Sequence, residues 1–167
     1  MDQVSFEKVS KIHKRKAFNC GVDDLNRFLH EYAIQNEKKN RSRTFVMIKQ
    51  DDRAILGYFT LASFQVEFED CPDELKRKLP KYPLPVALLG RLAVDAKYKS
   101  RGYGKVLLVE ALRRSWLASQ TFPIHAVVTH AKDSSARNFY LKFGFKKLLD
   151  DSMHLYLPLS VISSLTF

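Results

Sequence analysis

The feature of this sequence that most constrains its fold is a short basic turn with two glycines, set between an apolar run and a helix-like run. The apolar run ends at Val94, the turn contains Gly102, and the helix-like run begins at Gly104. Glycines allow tight turns and close approach to a ligand, and the free amides of a helix's first turn carry the positive end of its dipole. The segment therefore predicts a strand, a turn and a helix whose N-terminus binds an anion such as pyrophosphate.

Two familiar phosphate-binding motifs do not fit this turn. A Walker loop requires a glycine at the position of Lys99 and a serine or threonine at the position of Val106. A dinucleotide-binding fingerprint requires a third glycine at the position of Leu107, and no βαβ pattern begins the chain. The turn therefore indicates a phosphate site of another kind.

A second informative segment, near the C-terminus, has the pattern of a capped amphipathic helix. Asp133 is a residue type that caps helix N-termini, and Gly144 stands where a left-handed C-cap is expected. The residues between them that fall on one apolar face are Ala136, Phe139, Tyr140 and Phe143. The segment therefore predicts a short helix with one face in the core.

Together these two segments resemble the signatures of the GNAT family of acetyl-CoA-dependent N-acetyltransferases. The family's pyrophosphate turn reads Gln/Arg-x-x-Gly-x-Gly/Ala, and this chain has Lys99-Ser100-Arg101-Gly102-Tyr103-Gly104, with lysine at the first position. The family's helix reads Asn-x-x-Ala-x-x-Phe-Tyr closed by Gly-Phe, and this chain matches from Ala136 onward, with Asp133 at the Asn position. The resemblance implies an α/β (α+β) GNAT fold, a mixed central sheet flanked by helices, as one domain over residues 1–167.

Other segments resemble one branch of that family, the toxins of bacterial type II toxin-antitoxin systems. They are Phe18-Asn19-Cys20-Gly21, Leu25-Asn26-Arg27-Phe28-Leu29, Ser42-Arg43-Thr44-Phe45-Val46 and Leu89-Gly90-Arg91-Leu92-Ala93-Val94-Asp95. The resemblance implies transfer of acetyl from acetyl-CoA to the α-amino group of aminoacyl-tRNA, which stops translation. It also implies a ribbon-helix-helix antitoxin as a partner, and a homodimer.

The resemblance further implies roles for individual residues. Tyr140 is expected to be the general acid for the departing thiolate, since an ordinary phenol has a pKa of about 10 and is protonated at neutral pH. The alternative is that Tyr140 is only a core residue. The expected cofactor-binding residues are Leu92, Ala93 and Val94 for the pantetheine arm, Lys99, Ser100, Arg101, Gly102, Tyr103, Gly104 and Lys105 for the pyrophosphate, and Asp133 and Ser135 of the helix signature.

A general base is missing from the strand that precedes the turn. Val86 to Val94 contains no Glu or Asp, and Asp95 lies beyond it, where we expect it to fix the turn. A lysine amine has a pKa of about 10.4 and needs an effective base, whereas an α-amine, at about 7.7, is already partly neutral at pH 7. The missing carboxylate therefore favours an α-amine acceptor, with water, His130, Glu67 or Glu69 as a proton relay.

Two further residues are candidates for contact with the substrate. Arg91 projects from the strand beside the cofactor and is expected to contact the tRNA end, with an ion pair to Asp95 as the alternative. His130 follows a predicted strand where the active site should open, with a structural histidine as the alternative. The remaining histidines have no metal-ligand spacing and Cys20 is expected to be packed, so no metal is predicted.

The charge of the chain favours a polyanionic partner. The formal net charge is +10, from 28 basic and 18 acidic residues. One coenzyme needs few cations, so the surplus favours RNA, with solvated basic faces as the alternative. The surplus is concentrated in Lys11 to Lys16, Lys38 to Arg43, Lys76 to Lys81 and Arg113-Arg114. Neither a signal segment nor an apolar run of about 18 residues is present, so we expect a cytoplasmic protein without a membrane span.

Two other functions stay open at this point. The same cofactor residues would serve an N-acetyltransferase acting on a protein amine or a small polyamine. A noncatalytic RNA- or acyl-CoA-binding module would need no acid at all. The identity of the acceptor distinguishes the two acetyltransferase functions, and a catalytic role of Tyr140 distinguishes both from a noncatalytic module.

Periodicity predicts the remaining elements. A helix is expected from Asp23, as N-cap, with an apolar face formed by Leu25, Phe28, Leu29, Tyr32 and Ala33. The other expected elements are strands at Ser5 to Val9, Thr44 to Ile48, Ala54 to Ala62, Val86 to Val94, Ile124 to Thr129 and Met153 to Leu159, and a helix at Gly104 to Ser119. Phe64 to Pro85 contains four of the six prolines and is expected to be an irregular flap over the acceptor site.

Overall fold

A computed structural model of the chain describes residues 3–165 and 167. Its strands are β1 Val4–Lys8, β2 Arg43–Lys49, β3 Ile55–Val66, β4 Leu84–Val94, β5 Ala126–His130, β6 Lys146–Lys147 and β7 His154–Pro158. They form one sheet in the order β1-β2-β3-β4-β5-β7-β6. The β4–β5 pair is parallel, while β1–β2, β2–β3, β5–β7 and β6–β7 are antiparallel. The predicted mixed α/β fold is therefore confirmed.

Six α-helices accompany this sheet in the described part of the chain. They are α1 Asp23–Arg27, α2 Ala33–Lys38, α3 Asp73–Lys76, α4 Tyr103–Ser119, α5 Ser134–Lys142 and α6 Leu159–Ile162. A π-helical turn, Phe28–Tyr32, joins α1 to α2, and a 3-10 turn, Ala96–Tyr98, precedes α4. Within residues 3–165 and 167, none of the helices has the length and apolar character needed to cross a membrane.

The chain forms two compact units, each built from separate stretches of sequence. The first unit comprises Met1–Ala62 and Gly90–Ala111, and the second comprises Ser63–Leu89 and Leu112–Phe167. Strands β3 and β4 contribute residues to both units.

The core of the first unit is centred on Tyr58, which is fully buried. Its ring packs edge-on against Phe18 and stacks on Phe28, with ring centroids 5.5 Å and 6.2 Å apart. Its hydroxyl donates a hydrogen bond of 2.7 Å to the carbonyl of Leu25, so the one polar atom of this side chain is satisfied inside the core. Burial raises the pKa of Tyr58, which keeps the phenol neutral.

The same unit has a close backbone approach that only glycine allows. A Cβ atom at Gly57 would lie 2.8 Å from both the carbonyl oxygen of Ala93 and the Cδ1 atom of Leu107. Any larger residue at this position of β3 would have to displace the Ala93 carbonyl of β4 and move the Leu107 side chain of α4. Gly57 thus allows β3 to approach the strand that leads to the basic turn.

The core of the second unit includes much of the segment that was expected to be an irregular flap, so that prediction is wrong. β3 extends to Val66, a 3-10 turn and α3 follow, and β4 already begins at Leu84. Val66, Cys71, Leu75 and Leu84 are buried in a cluster with residues of β5 and β7. The buried apolar residues of this segment lie in several short elements and so do not repeat with one helical or strand period. For this reason the sequence pattern appeared irregular.

A hydrogen bond between two side chains anchors α3 in that core. The hydroxyl of Tyr156 on β7 donates to Oε2 of Glu74 at 2.6 Å, and Lys146 pairs with the same carboxylate at 3.2 Å. The hydrogen bond from Tyr156 lowers the pKa of Glu74. The pKa of Tyr156 is raised, mainly by burial and secondarily by its bond to this carboxylate. The segment that contains α3 is therefore held to the sheet by polar as well as apolar contacts.

The start of the first helix differs from the prediction in two respects. Val22 occupies the N-cap position, where its carbonyl accepts a hydrogen bond of 3.0 Å from the amide of Asn26, and Asp23 is already helical. Tyr32 is 46% exposed although it was expected on the apolar face. A π-helical turn takes one more residue than an α-helical turn, which rotates the residues after it about the helix axis.

The two ends of α5 are confirmed as predicted. The side chain of Asp133 accepts a hydrogen bond of 2.8 Å from the amide of Ala136, which is an N-cap contact. At the other end, Gly144 has φ +95°, and the amide of Phe145 donates to the carbonyl of Tyr140 at 3.2 Å. This arrangement is a Schellman C-cap. Both helix ends, and with them the position of Tyr140, are therefore fixed by local contacts.

We predict that Tyr58→Phe lowers the free energy of unfolding by about 1–2 kcal/mol, because the Leu25 carbonyl loses its buried donor. Urea denaturation monitored by circular dichroism measures this change. Tyr82→Phe is the matched control, since Tyr82 is 70% exposed and its substitution should leave the midpoint unchanged. Equal midpoints for the two variants would contradict the role of this hydrogen bond.

Candidate functional site

The basic turn has the backbone shape of an anion site. Ser100 and Gly102 both have left-handed dihedrals, with φ 62° and 85°. The amide of Val106 donates to the carbonyl of Gly102 at 3.3 Å, so the amides of the three preceding residues, at the start of the 17-residue α4, have no earlier helical carbonyl to bond. Left-handed strain at a non-glycine residue such as Ser100 is typical of functional loops. The turn therefore presents amides and a helix dipole to one point.

A buried carboxylate holds the entry to this turn. Asp95 is 5% exposed, and its two oxygens accept hydrogen bonds from the amides of Asn19 at 3.0 Å and Lys97 at 2.9 Å. The amide of Ala96 in turn donates to the carbonyl of Asn19 at 2.8 Å. Asp95 therefore fixes the turn, as expected, and it does so by tying it to the segment around Asn19.

Lys99 reinforces the same connection. Its Nζ atom donates to the carbonyl of Cys20 at 2.5 Å. The side chains of Asn19 and Asn26 bond to each other at 2.9 Å and to the amides of Gly21 and Cys20. A long flexible lysine can reach this carbonyl, which gives a structural reason for lysine at the first position of the turn. Two of its three ammonium donors remain for a ligand.

Cationic and aromatic side chains surround the turn. The ring of Tyr98 has Lys49 Nζ at 5.2 Å and Arg101 Cζ at 5.6 Å from its centroid. Tyr103 is 3% exposed and meets the same ring edge-on, whereas Lys105 is exposed. The positive charges of Lys49 and Arg101 are therefore oriented by packing against an aromatic ring.

The three residues expected to bind the pantetheine arm lie at the end of β4, directly before the turn. Ala93 is buried, while Leu92 and Val94 are half-buried. Arg91, the preceding residue, places its guanidinium carbon 3.6 Å from the centroid of the Phe28 ring. Arg91 is therefore held by a cation–π contact, and the Asp95 oxygens, its alternative partners, accept from backbone amides. Binding of a cofactor or substrate by these four residues stays a prediction.

Tyr140 lies in the second unit and is 6% exposed. Its ring packs against Phe139 and Phe145, with centroids 5.2 Å and 5.3 Å away. Burial raises the pKa of Tyr140 to about 12, and a hydrogen bond with Thr129 opposes that shift. The phenol is therefore fully protonated at neutral pH, as a proton donor must be.

Thr129 connects Tyr140 to the point where two strands stop pairing. The β4–β5 register contains Ala87↔Val127 and Leu88↔Val128, and the Thr129 hydroxyl then donates to the carbonyl of Leu89 at 2.8 Å. The same threonine side chain also lies beside the phenol of Tyr140. Thr129 was not among the site residues predicted from the sequence, although a threonine on the buried face of an apolar strand was a signal for such a role.

His130 is the last residue of β5 and is exposed. Its ring stacks on His154 with centroids 3.9 Å apart and meets Phe64 edge-on at 5.6 Å. The pKa of His130 is lowered, mainly by burial against these neighbours and secondarily by the charge interaction with His154. The two other predicted residues of this unit are Asp133, whose carboxylate caps α5, and Ser135, which is exposed in the first turn of that helix.

The predicted site residues thus fall into two groups. Arg91, Leu92 to Val94 and Lys99 to Lys105 belong to the first unit, and His130, Asp133, Ser135 and Tyr140 belong to the second. Among the residues that the structure describes, no group of three or more His, Cys, Asp or Glu side chains could hold a metal ion. Both cysteines are free and buried.

Comparison with known proteins extends this picture. A sequence model described as an acetyltransferase (GNAT) domain matches residues 40–147. A protein named tRNA-acetylating toxin, from Mycobacterium tuberculosis (strain ATCC 25618 / H37Rv), is 35% identical over 150 residues, covering 90% of this chain and 89% of that protein.

Two solved structures of the toxin AtaT are similar to the whole fold. AtaT complexed with acetyl-methionyl-tRNAfMet has a TM-score of 0.90 and 26% identity, covering 96% of this chain and 98% of that one. A tyrosine-to-phenylalanine mutant of AtaT, bound to the C-terminus of the antitoxin AtaR and to acetyl-CoA, has a TM-score of 0.83 and 26% identity, covering 97% of each chain.

The domain match and the mycobacterial relative agree on one family, and they cover the basic turn. The matched range also includes the Asp133 cap, Tyr140 and the Gly144 cap. Because the domain match covers more than half of the chain, the protein belongs to the acetyltransferase (GNAT) family.

Proposed function

We propose that this chain is a toxin that transfers the acetyl group of acetyl-CoA to the α-amino group of aminoacyl-tRNA. The product carries a blocked amine and cannot accept a growing peptide, so translation stops. The observation that carries the proposal is the similarity over 90% of the chain to a protein named tRNA-acetylating toxin. Similarity to AtaT in complex with acetyl-methionyl-tRNAfMet supports it. The two units act together as one acetyltransferase domain over residues 1–167.

The basic turn binds the pyrophosphate of acetyl-CoA in this proposal. The amides of Gly102 to Lys105 supply directed donors, and the α4 dipole with the Arg101 and Lys105 side chains supplies positive charge. The left-handed dihedrals at Ser100 and Gly102 already aim these donors in the described structure, so little ordering is needed on binding. Backbone groups of Leu92, Ala93 and Val94 bind the pantetheine arm, while Asp133 and Ser135 contact the coenzyme at the start of α5.

Tyr140 donates a proton to the sulfur of the departing thiolate. Acetyl-CoA supplies a thioester, whose sulfur must be protonated as the acyl group leaves. The Tyr140 O–H group would deliver that proton. Thr129 lies beside the phenol, and the raised pKa ensures that the proton is present.

The proposed acceptor is an α-amine. β4 carries no Glu or Asp that could act as a base, and this suits a nucleophile that is already partly neutral. An ordinary α-amine has a pKa of about 7.7, against about 10.4 for lysine. The net charge of +10 also supports a polyanionic substrate such as tRNA, because one coenzyme molecule would pair with only a few of the basic side chains. Arg91, on the strand that leads to the turn, contacts the tRNA end.

An antitoxin restrains this activity in the proposal. AtaT is bound by the C-terminus of the antitoxin AtaR in one of the similar structures, and we propose an equivalent partner here. That partner is of the ribbon-helix-helix type and covers the basic surface with its tail. The toxin itself is a homodimer and acts in the cytoplasm, where aminoacyl-tRNA is used.

We predict that labelled acetyl from acetyl-CoA is transferred to charged tRNA and not to deacylated tRNA, polypeptides or free polyamines. Separate incubation with each acceptor, followed by alkaline release of the amino acid, measures this dependence. Label recovered as an N-acetyl amino acid supports the proposal. Label confined to protein or polyamine would instead assign another acceptor, and binding without transfer would assign a noncatalytic module.

We predict that Tyr140→Phe lowers kcat by roughly 100-fold, because the general acid is lost. Calorimetry should show an unchanged affinity for acetyl-CoA. Tyr156→Phe is the matched control, since it removes the hydroxyl of another buried tyrosine in the same unit and should reduce stability but not transfer. A Tyr140→Phe enzyme with the wild-type kcat would eliminate Tyr140 as the acid.

We predict that Gly102→Ala weakens acetyl-CoA binding by roughly 10-fold, because a left-handed conformation costs an L-residue about 1–2 kcal/mol and the turn would relax away from it. Calorimetric titration measures the dissociation constant. Gly144→Ala is the control for the same dihedral strain, because Gly144 also has a positive φ of 95° but only ends α5. Equal affinities for Gly102→Ala and Gly144→Ala would argue against the pyrophosphate site.

A further inference from the structure

The proposed chemistry leaves one proton transfer without a named group, namely removal of a proton from the acceptor amine. β5 presents Thr129 and His130 on opposite faces of the sheet, because side chains alternate along a strand. The Thr129 face is the one that contacts Tyr140. His130 therefore lies on the other face, at the same strand end.

The surroundings of His130 hold its ring without using its nitrogens. The ring stacks on His154 at 3.9 Å, a pair set by the register His130↔His154 between β5 and β7. Phe64 contacts the ring edge-on from β3. Among the described residues, none forms a hydrogen bond with either ring nitrogen of His130. The imidazole is thus oriented by packing, is exposed, and has both nitrogens available to a ligand.

The charged groups that act on His130 are His154, Asp150 and Asp151. His154 is bonded through Nδ1 to Asp150 at 2.7 Å, and its Nε2 lies 4.0 Å from Asp151. A positive charge on His154 opposes protonation of His130, whereas Asp150 and Asp151 favour it. The remaining neighbour, Phe64, carries no charge.

We propose that His130 is the general base that takes a proton from the α-ammonium group of the acceptor. The inference rests on the proposed function, since it places the departing sulfur beside Tyr140 and the incoming amine on the opposite face of β5. It selects His130 from the several proton relays expected from the sequence, where His130 was also a candidate substrate contact.

The proton balance of the reaction is complete with these two residues. One proton passes from the α-ammonium to His130 and then to solvent. The amine nitrogen forms a C–N bond with the thioester carbon while the C–S bond breaks. Tyr140 protonates the sulfur, the nitrogen loses its second proton to solvent, and the phenolate regains a proton from solvent.

The lowered pKa of His130 suits this role. A lower value keeps the imidazole neutral, and able to accept a proton, to lower pH than an ordinary histidine. Transfer should therefore decline only as the pH falls through the pKa of His130, and removal of His154 should move that decline to higher pH.

The test compares His130→Gln with the wild-type enzyme across pH 5 to 9, using charged tRNA and saturating acetyl-CoA. We expect kcat to fall by roughly 100-fold in His130→Gln. Added imidazole should restore part of the rate, and acetyl-CoA affinity measured by calorimetry should not change. His125→Gln is the matched control at the other end of the same strand region and should keep the wild-type rate.

A second measurement does not depend on turnover. NMR titration of the His130 ring in the free protein should give a pKa below its ordinary value, and His154→Gln should raise it. The acid limb of the His154→Gln rate profile should move in the same direction. If both move together, His130 is the titrating base.

The outcomes separate the inference from the proposed function. A wild-type protein that binds acetyl-CoA but does not acetylate charged tRNA overturns both. An active wild-type enzyme with an equally active His130→Gln variant, or an acid limb that stays fixed in His154→Gln, overturns the role of His130 alone.

Discussion

The structure around the basic turn depends on the carboxylate of Asp95. Its two oxygens bond the amides of Asn19 and Lys97, and so connect the chain before α1 to the chain before α4. A buried acceptor that lacks donors costs about 1–3 kcal/mol or more, so these two bonds stabilise the meeting of both segments at the buried Asp95. The left-handed dihedrals that follow at Ser100 and Gly102 are held in place by this connection and by the Lys99 contact with Cys20. The anion site is therefore a product of tertiary hydrogen bonds as much as of two glycines.

Local sequence rules predicted the parts of the fold that local contacts determine. The Asp133 cap and the Gly144 cap follow from residues close together in the sequence, and both are confirmed. The order of strands and helices followed from the same patterns. The family resemblance then supplied the mixed sheet, because strand order cannot be read from periodicity.

The features that the sequence did not predict are those that distant contacts determine. α3 is stabilised by Tyr156, which is far along the chain from Glu74, and the buried residues around it follow no single period. Thr129 gains its importance from Leu89 and Tyr140, and His130 from its neighbour in the β5–β7 register. None of these partners is visible until the strands are paired. The chemistry of a candidate site therefore needed the structure, even where the residue types had been named.

The interleaving of the two units has a consequence for the synthesis of this protein. The N-terminal part of the first unit, Met1–Ala62, can pack fully only after the stretch Gly90–Ala111 has been synthesised. The second unit likewise requires the stretch Leu112–Phe167. Contacts between distant parts of a chain form late and slowly. A nascent polypeptide on the ribosome therefore gains Tyr140 only after the whole first unit has been translated. Premature termination before α5 would release a fragment that lacks the proposed acid, so the proposed acetyl transfer would require a chain that extends through α5.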